Sequence, residues 1–167
     1  MSIQDVGAQK PAPRLAARSN PRRAPARKIR VLIVDDIAEN RVVLGVCCEP
    51  FGVSLEAVDS GREAVELVRS GRFDLVFMDI LMPGMDGVAA TRAIRALPGE
   101  AALAPIIAVT TAADPKDVLH YRANGFTDVV AKPINVARLM GALDAAVSEA
   151  RRTRRSRLRH DRIRLTA

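Results

Sequence analysis

Aromatic side chains are almost missing from this chain: its 167 residues include no Trp, one Tyr and four Phe. Base stacking on single-stranded nucleic acid depends on aromatic faces, so it has little to work with here. Cysteine is equally scarce. The only two, Cys47 and Cys48, are adjacent, and neighbours on a helix point about 100° apart. A disulfide framework is thereby excluded and a reducing, cytoplasmic setting is expected. His120 and His160 stand alone, which argues against zinc. No apolar run approaches the roughly 18 residues of a membrane span. The basic N-terminus lacks an apolar stretch with a small-residue cleavage site, so no secretory signal is expected.

What is present is charge, unevenly placed. The formal net charge is +7. Residues 1–30 hold eight Lys/Arg against one acid, residues 151–167 eight against one, and residues 31–150 ten against seventeen. An acidic domain thus carries two basic arms. The arm over 1–28 is rich in Pro, Ala and Arg, with prolines at Pro11, Pro13, Pro21 and Pro25 and few large apolar residues. Such composition cannot build a core, and disorder is expected there. The domain spans 29–150. The Arg-rich tail, 151–167, is a candidate extension of the last helix.

Within the domain, strands and helices alternate. Ile29–Val34 is a short apolar strand ending in Asp35-Asp36. Residues from Ile37 to about Pro50 have helical spacing, with Ile37, Leu44 and Cys48 near one face. Val53–Val58 alternates as a strand. Ser60 and Glu63 form a capping box opening a helix that turns Ala64, Leu67 and Val68 inward and stops at Gly71. Asp74–Asp79 is a buried strand with an acid at its end, followed by the Met82–Gly87 loop and a helix to about Leu97. Pro105–Thr110 is the fourth strand. Asp114-Pro115 starts a helix closed by Gly125. Asp128–Ala131 precedes Lys132-Pro133, and Asn135 caps a last helix with Val136, Leu139, Met140, Leu143 and Val147 on one stripe.

This order predicts an α/β fold, a five-stranded parallel sheet with helices on both faces. Ligands of such sheets sit beyond the carboxyl ends of the strands. That is where Asp35, Asp36, Asp79, Thr110 and Lys132 fall. Taken singly, an Asp-Asp pair is an ordinary turn and Thr110 an ordinary strand end; the conjunction carries the argument. Three converging carboxylates repel each other unless a cation joins them. An all-oxygen site with room for water suits Mg²⁺. With Lys132 as a point charge and Thr110 as a donor, the set matches phosphoryl transfer to an aspartate.

The segments Val31-Leu-Ile-Val-Asp35-Asp36, Asp74-Leu-Val-Phe-Met-Asp79-Ile-Leu-Met-Pro83-Gly-Met-Asp86-Gly87, Pro105-Ile-Ile-Ala-Val-Thr110 and Gly125-Phe-Thr-Asp-Val-Val-Ala-Lys132-Pro133 closely resemble the receiver domains of bacterial two-component response regulators. The stretch Asp36-Ile-Ala-Glu-Asn40-Arg41 is similar to the receivers of hybrid sensor kinases. The resemblance covers about 29–150. It implies the flavodoxin-like (βα)5 fold with strand order 2-1-3-4-5. It also implies Asp79 as phosphoacceptor, served by a histidine kinase or histidine phosphotransfer protein. Mg²⁺ would be held by Asp35, Asp36, Asp79 and the backbone carbonyl of Leu81. Thr110 and Lys132 would contact the acyl phosphate, and Lys132–Pro133 would be cis. The chain would catalyse only its own phosphorylation and dephosphorylation. Two positions depart from the family pattern: Val129 stands where an aromatic switch residue is common, and Thr111 where Ala or Gly is common.

About seventeen residues follow the last helix, too few for a helix-turn-helix. The sequence therefore predicts a stand-alone receiver acting by protein contact or phosphorelay, through the face of the fourth helix, fifth strand and fifth helix. It would be a monomer or a phosphorylation-dependent dimer. An alternative makes the two basic arms a phosphorylation-tuned nucleic-acid binder. The arms have two further readings, contact with an acidic surface and no specific role.

Overall fold

Apolar runs without polar alternation suit strands covered on both faces. Two of them, β3 (Leu75–Asp79) and β4 (Ile106–Thr110), are buried along their whole length. The computed structural model describes residues 28–71 and 73–164, with the side chains of 28–71, 73–149 and 152. Apart from Lys28, the arm expected over 1–28 lies outside the described residues. With β1 (Arg30–Val34), β2 (Ser54–Val58) and β5 (Asp128–Ala131), the strands form one parallel sheet in the order β2-β1-β3-β4-β5.

The helices are α1 (Ala38–Cys48), α2 (Gly61–Ser70), α3 (Gly87–Arg95), α4 (Pro115–Ala123) and α5 (Val136–Arg164). Because side chains alternate along a strand, the sheet feeds two separate apolar layers. Leu32, Val34, Val76, Met78, Ile106, Ala108 and Val129 pack with α2, α3 and α4 through Ala64, Val68, Ala90, Ile94 and Tyr121. Val31, Ile33, Leu75, Phe77, Ile107, Val109 and Val130 pack with α1 and α5 through Leu44, Cys48, Leu139, Leu143 and Val147. Burial, with Cys47 next to it, pushes the Cys48 thiol up to about 12, so this cysteine packs and does not react.

The helix starts follow their capping chemistry. Ser60 accepts from the Glu63 N–H, Asp86 from the Ala89 N–H and Asn135 from the Arg138 N–H. Two expected inward residues turn outward instead. Ile37 is 49% exposed and Val136 50%. Each sits where its helix begins, before the helix has closed on the sheet. Helix α1 also ends sooner than its spacing suggests, passing into a 3-10 turn at Glu49–Phe51, because Pro50 has no N–H to continue the ladder. A second 3-10 turn, Gly99–Leu103, precedes β4.

Below the sheet, at the end opposite the polar cluster, one side chain ties three segments together. The Arg95 guanidinium donates to the carbonyls of Gly125, Ala102 and Ala104 at 2.7–2.9 Å. Bonds from a charged donor contribute about 1.5–3 kcal/mol each, with incomplete additivity. Arg95→Met is expected to cost about 2–3 kcal/mol, read as a lower urea midpoint at unchanged slope. An unchanged midpoint would show these loops hold themselves.

Thr91 on α3 presents the reverse case. It is fully buried, and its hydroxyl has no hydrogen-bond partner among the described residues. An unsatisfied buried hydroxyl costs about 1–3 kcal/mol. Thr91→Val, similar in shape, is expected to raise stability by about 1 kcal/mol in urea unfolding. A comparable loss would mean that the hydroxyl does find a partner in solution.

Candidate functional site

The polar residues singled out in the sequence emerge at the carboxyl edge of the sheet. Asp35 follows β1, Asp79 ends β3, Thr110 ends β4 and Lys132 follows β5. Register aligns them: Asp79 lies opposite Val109, and Thr110 opposite Ala131, one residue short of Lys132. A parallel sheet brings four strand ends to one edge, and three of these four residues are charged.

One carboxylate oxygen from each of Asp35, Asp36 and Asp79 lies within 4.8 Å of the others. Asp35 and Asp79 are buried, whereas Asp36 reaches solvent. Among these acids sits the Lys132 ammonium, 2.9 Å from Asp35 Oδ2 and 3.1 Å from Asp79 Oδ2. The Lys132–Pro133 bond that follows is cis.

The electrostatics follow from burial and pairing. Burial pushes the Asp79 carboxyl above its ordinary range, and the Asp35 charge adds to the rise. Hydrogen bonds from Lys132 and the Ile80 N–H pull it back only in part. Burial also works against the Lys132 ammonium, but its bonds to Asp35 and Asp79 and their charges outweigh that effect and raise its pKa. The lysine is therefore held charged, and Asp79 carries a carboxylate that is costly to keep ionised.

Asp35 is held on every side. Its Oδ1 accepts from the Ile37 N–H at 2.9 Å and Asn40 Nδ2 at 3.0 Å, while Oδ2 accepts from Lys132. Arg41 Nη1 donates to the Asp35 backbone carbonyl. These supports from α1 were not assigned from the sequence. In the sequence the Asp36–Arg41 stretch carries only a resemblance; the signal for these supports is a polar residue five and six positions after Asp35, across a helix start.

Thr110 is buried at the site's edge, and its hydroxyl accepts from the Ala112 N–H at 3.2 Å. It shares the edge with the acids and is bonded within its own turn. Leu81, two residues past Asp79, is 67% exposed. Val129 is buried against the α2–α4 layer, where Tyr121 and Phe126 meet edge to face at 5.7 Å.

These oxygens fit a small hard cation. The donors are all carboxylate, close enough to share one ion, and Asp36 leaves a side open to water, as Mg²⁺ prefers. Together the edge offers a buried carboxylate, a place for a divalent cation and a fixed ammonium.

Comparison with known proteins points the same way. A family model described as the response regulator receiver domain matches residues 31–144. The sensor protein GacS of Pseudomonas syringae pv. syringae is 40% identical over 116 residues, covering 68% of this chain and 13% of its own length. The transcription factor SKN7 of Candida albicans is 34% identical over 125 residues, covering 73% and 21%. The chain thus spans only a small part of these curated relatives. Among solved structures, it is similar to the receiver domain of the sensor histidine kinase PA1611 from Pseudomonas aeruginosa, with magnesium coordinated in its active-site cleft. That pair has a TM-score of 0.66 and 31% identity, covering 73% of this chain and 99% of the other. The chemotaxis protein CheY4 of Vibrio cholerae gives a TM-score of 0.67 at 29% identity, covering 72% and 99%.

Proposed function

We propose, for a chain that belongs to the family of response regulator receiver domains, that Asp79 is the group that takes the phosphoryl. The observation that carries this is the Lys132 ammonium set between Asp35 and Asp79 at one sheet edge. An Asp79 carboxylate oxygen attacks the phosphorus of a phosphohistidine. The new O–P bond gives an acyl phosphate, and the P–N bond breaks. The leaving imidazole nitrogen keeps the electron pair and takes up a proton. Lys132 neutralises charge on the transferring group, and the Thr110 hydroxyl donates to it after leaving the Ala112 turn. Asp35, Asp36, Asp79 and the Leu81 carbonyl are the ligands we assign to Mg²⁺. When bound, the ion supplies charge neutralisation at the phosphoryl oxygens.

The donor would be a histidine kinase or histidine phosphotransfer protein, in the cytoplasm. Exposed Val42, Val43 and Val46 of α1, with Ile37 and Leu81 nearer the site, give such a donor apolar surface around the phosphoacceptor. Drawing Thr110 and Lys132 onto the phosphoryl group would shift the α4–β5–α5 face between two states. With Val129 buried and aliphatic, that readout would run through the loop after Thr110, without a rotating aromatic at 129. On this reading the protein signals by contact or passes the phosphoryl on. No helix among the described residues is long and apolar enough to cross a membrane.

The test is phosphoryl uptake from acetyl phosphate, a small donor that needs no partner. The chain should shift on a phosphate-retarding gel only with Mg²⁺, and hydroxylamine, which cleaves acyl phosphates, should reverse the shift. A hydroxylamine-stable product, or uptake undiminished by EDTA, would overturn the proposal.

A further inference from the structure

Helix α1 opens without a cap of its own. Its N-cap is Ile37, an alkyl residue that makes no capping bond. The Ile37 N–H goes instead to Asp35 Oδ1 at 2.9 Å, in a turn that closes over two residues. The same oxygen accepts from Asn40 Nδ2 at 3.0 Å, within the first turn of the helix. An ionised carboxylate accepts and never donates, so the amide nitrogen of Asn40 is the atom that faces it. Asp35 is fully buried, and each donor it meets is one the fold supplies.

These bonds divide the carboxylate. Oδ1 is tied to α1 by two donors, and Oδ2 is turned to Lys132, whose ammonium also meets Asp79 Oδ2 at 3.1 Å. The terminal torsion of an aspartate is broad, and a second donor on Oδ1 narrows it. Arg41 Nη1 secures the backbone beneath, donating to the Asp35 carbonyl at 2.6 Å. Lys132 cannot orient the carboxylate for a metal by itself, because a cation arriving at Oδ2 repels the ammonium already there.

We propose that Asn40 is a positioning residue for the divalent cation, holding the Asp35 carboxylate in the orientation that keeps Oδ2 towards the shared acidic site. The inference rests on the assignment of Asp35 as a Mg²⁺ ligand and adds the group that orients it. Asn40 is uncharged, so it acts through direction and leaves the charge of the site unaltered. Its effect is therefore selective between ions. Mg²⁺ demands near-octahedral geometry at short distance, whereas the larger Ca²⁺ accepts irregular shells of oxygens. A carboxylate freer to turn harms the first ion more than the second.

The experiment titrates the full chain with Mg²⁺, and separately with Ca²⁺, following the backbone amide shifts of Asp36 and Ile80 by NMR. Two variants that lack the donor are compared with the parent. Asn40→Leu keeps the approximate shape and Asn40→Ala does not, and both introduce good helix formers. Dispersed amide signals show that each variant is folded. Loss of a partner that orients a metal ligand lowers affinity by about 10- to 100-fold. Both variants should thus bind Mg²⁺ at least about 10-fold more weakly, and Ca²⁺ by no more than about 3-fold. Equal losses for the two ions would overturn the inference, since they would trace to general loosening of the sheet edge. A loss in one variant alone would also overturn it, in favour of side-chain packing. Parent-like Mg²⁺ affinity in both variants would remove the role of Asn40 and leave the metal assignment standing. A parent chain that binds no Mg²⁺ would overturn that assignment and this inference with it.

Discussion

Asp79→Asn is expected to take up no phosphoryl group from any donor and yet to melt at a higher temperature than the parent chain. The first effect follows because an amide oxygen is a poor nucleophile and cannot form the acyl phosphate. The second follows from the environment. Asp79 is 4% exposed, and burial raises its folded-state pKa above that of the unfolded chain. The sign is then fixed. The group costs nothing while protonated in both states, and the fold loses stability as pH rises from the unfolded pKa through the folded one. Above the folded pKa that loss is complete. Asparagine does not ionise, so the loss is recovered, while Lys132 keeps Asp35 as a partner. In a chain of this size about 1 kcal/mol shifts Tm by about 2–4 °C, and a rise of that order is expected in EDTA at pH 7. Scanning calorimetry with a phosphate-retarding gel reads both effects. A fall in Tm would mean that the Lys132–Asp79 pair outweighs the burial.

Gly87→Ala is expected to damage stability and chemistry together. A Cβ built on Gly87 would lie 2.0 Å from the Asp79 carbonyl oxygen and 3.0 Å from Ile80 Cα. Those are backbone atoms, so no rotamer relieves the clash. The Gly87 N–H also donates to the Ile80 carbonyl, so α3 begins directly against the peptide that carries Asp79. The methyl must push either the start of α3 or the Asp79 backbone aside. Overpacking of this kind costs about 1–3 kcal/mol and sometimes more, and a displacement near 1 Å at a reacting group lowers rate about 100-fold. The expected result is a loss of about 3 kcal/mol in urea unfolding and an uptake rate down by about 10- to 100-fold. Parent-like values for both would show that the 79–87 backbone yields easily. A stability loss with normal uptake would place the displacement in α3 alone.

Much of this architecture is legible in the sequence because one signal repeats. Each apolar run ends in a polar residue, and a parallel sheet gathers those ends at one edge, so Asp35, Asp79, Thr110 and Lys132 can be brought together before any coordinate is known. The five-strand order is the one that the resemblance implied. What stays hidden depends on contacts without periodicity. The Arg95 bonds reach carbonyls 7 to 30 residues away, and a carbonyl has no residue type to recognise. Asn40 and Arg41 hold Asp35 from the first turns of α1, yet read along the chain they are ordinary polar helix residues. Ile37 and Val136 mislead for the opposite reason: helical spacing says which face a residue shares, and not whether the helix has yet reached the sheet there.

The division of the interior into two layers has an evolutionary meaning as well as an architectural one. The α1–α5 layer and the α2–α4 layer share the strands but no side chains. Substitutions on opposite sides of the sheet are therefore far enough apart to act almost additively. The apolar contacts under α1 can be rewritten without retuning those under α4, and only α5, which packs in the α1 layer and flanks the α4–β5–α5 face, belongs to both. A lineage can change its conversation partner and keep its grammar, and duplicated copies of such a domain can diverge towards separate signals while each remains foldable at every step.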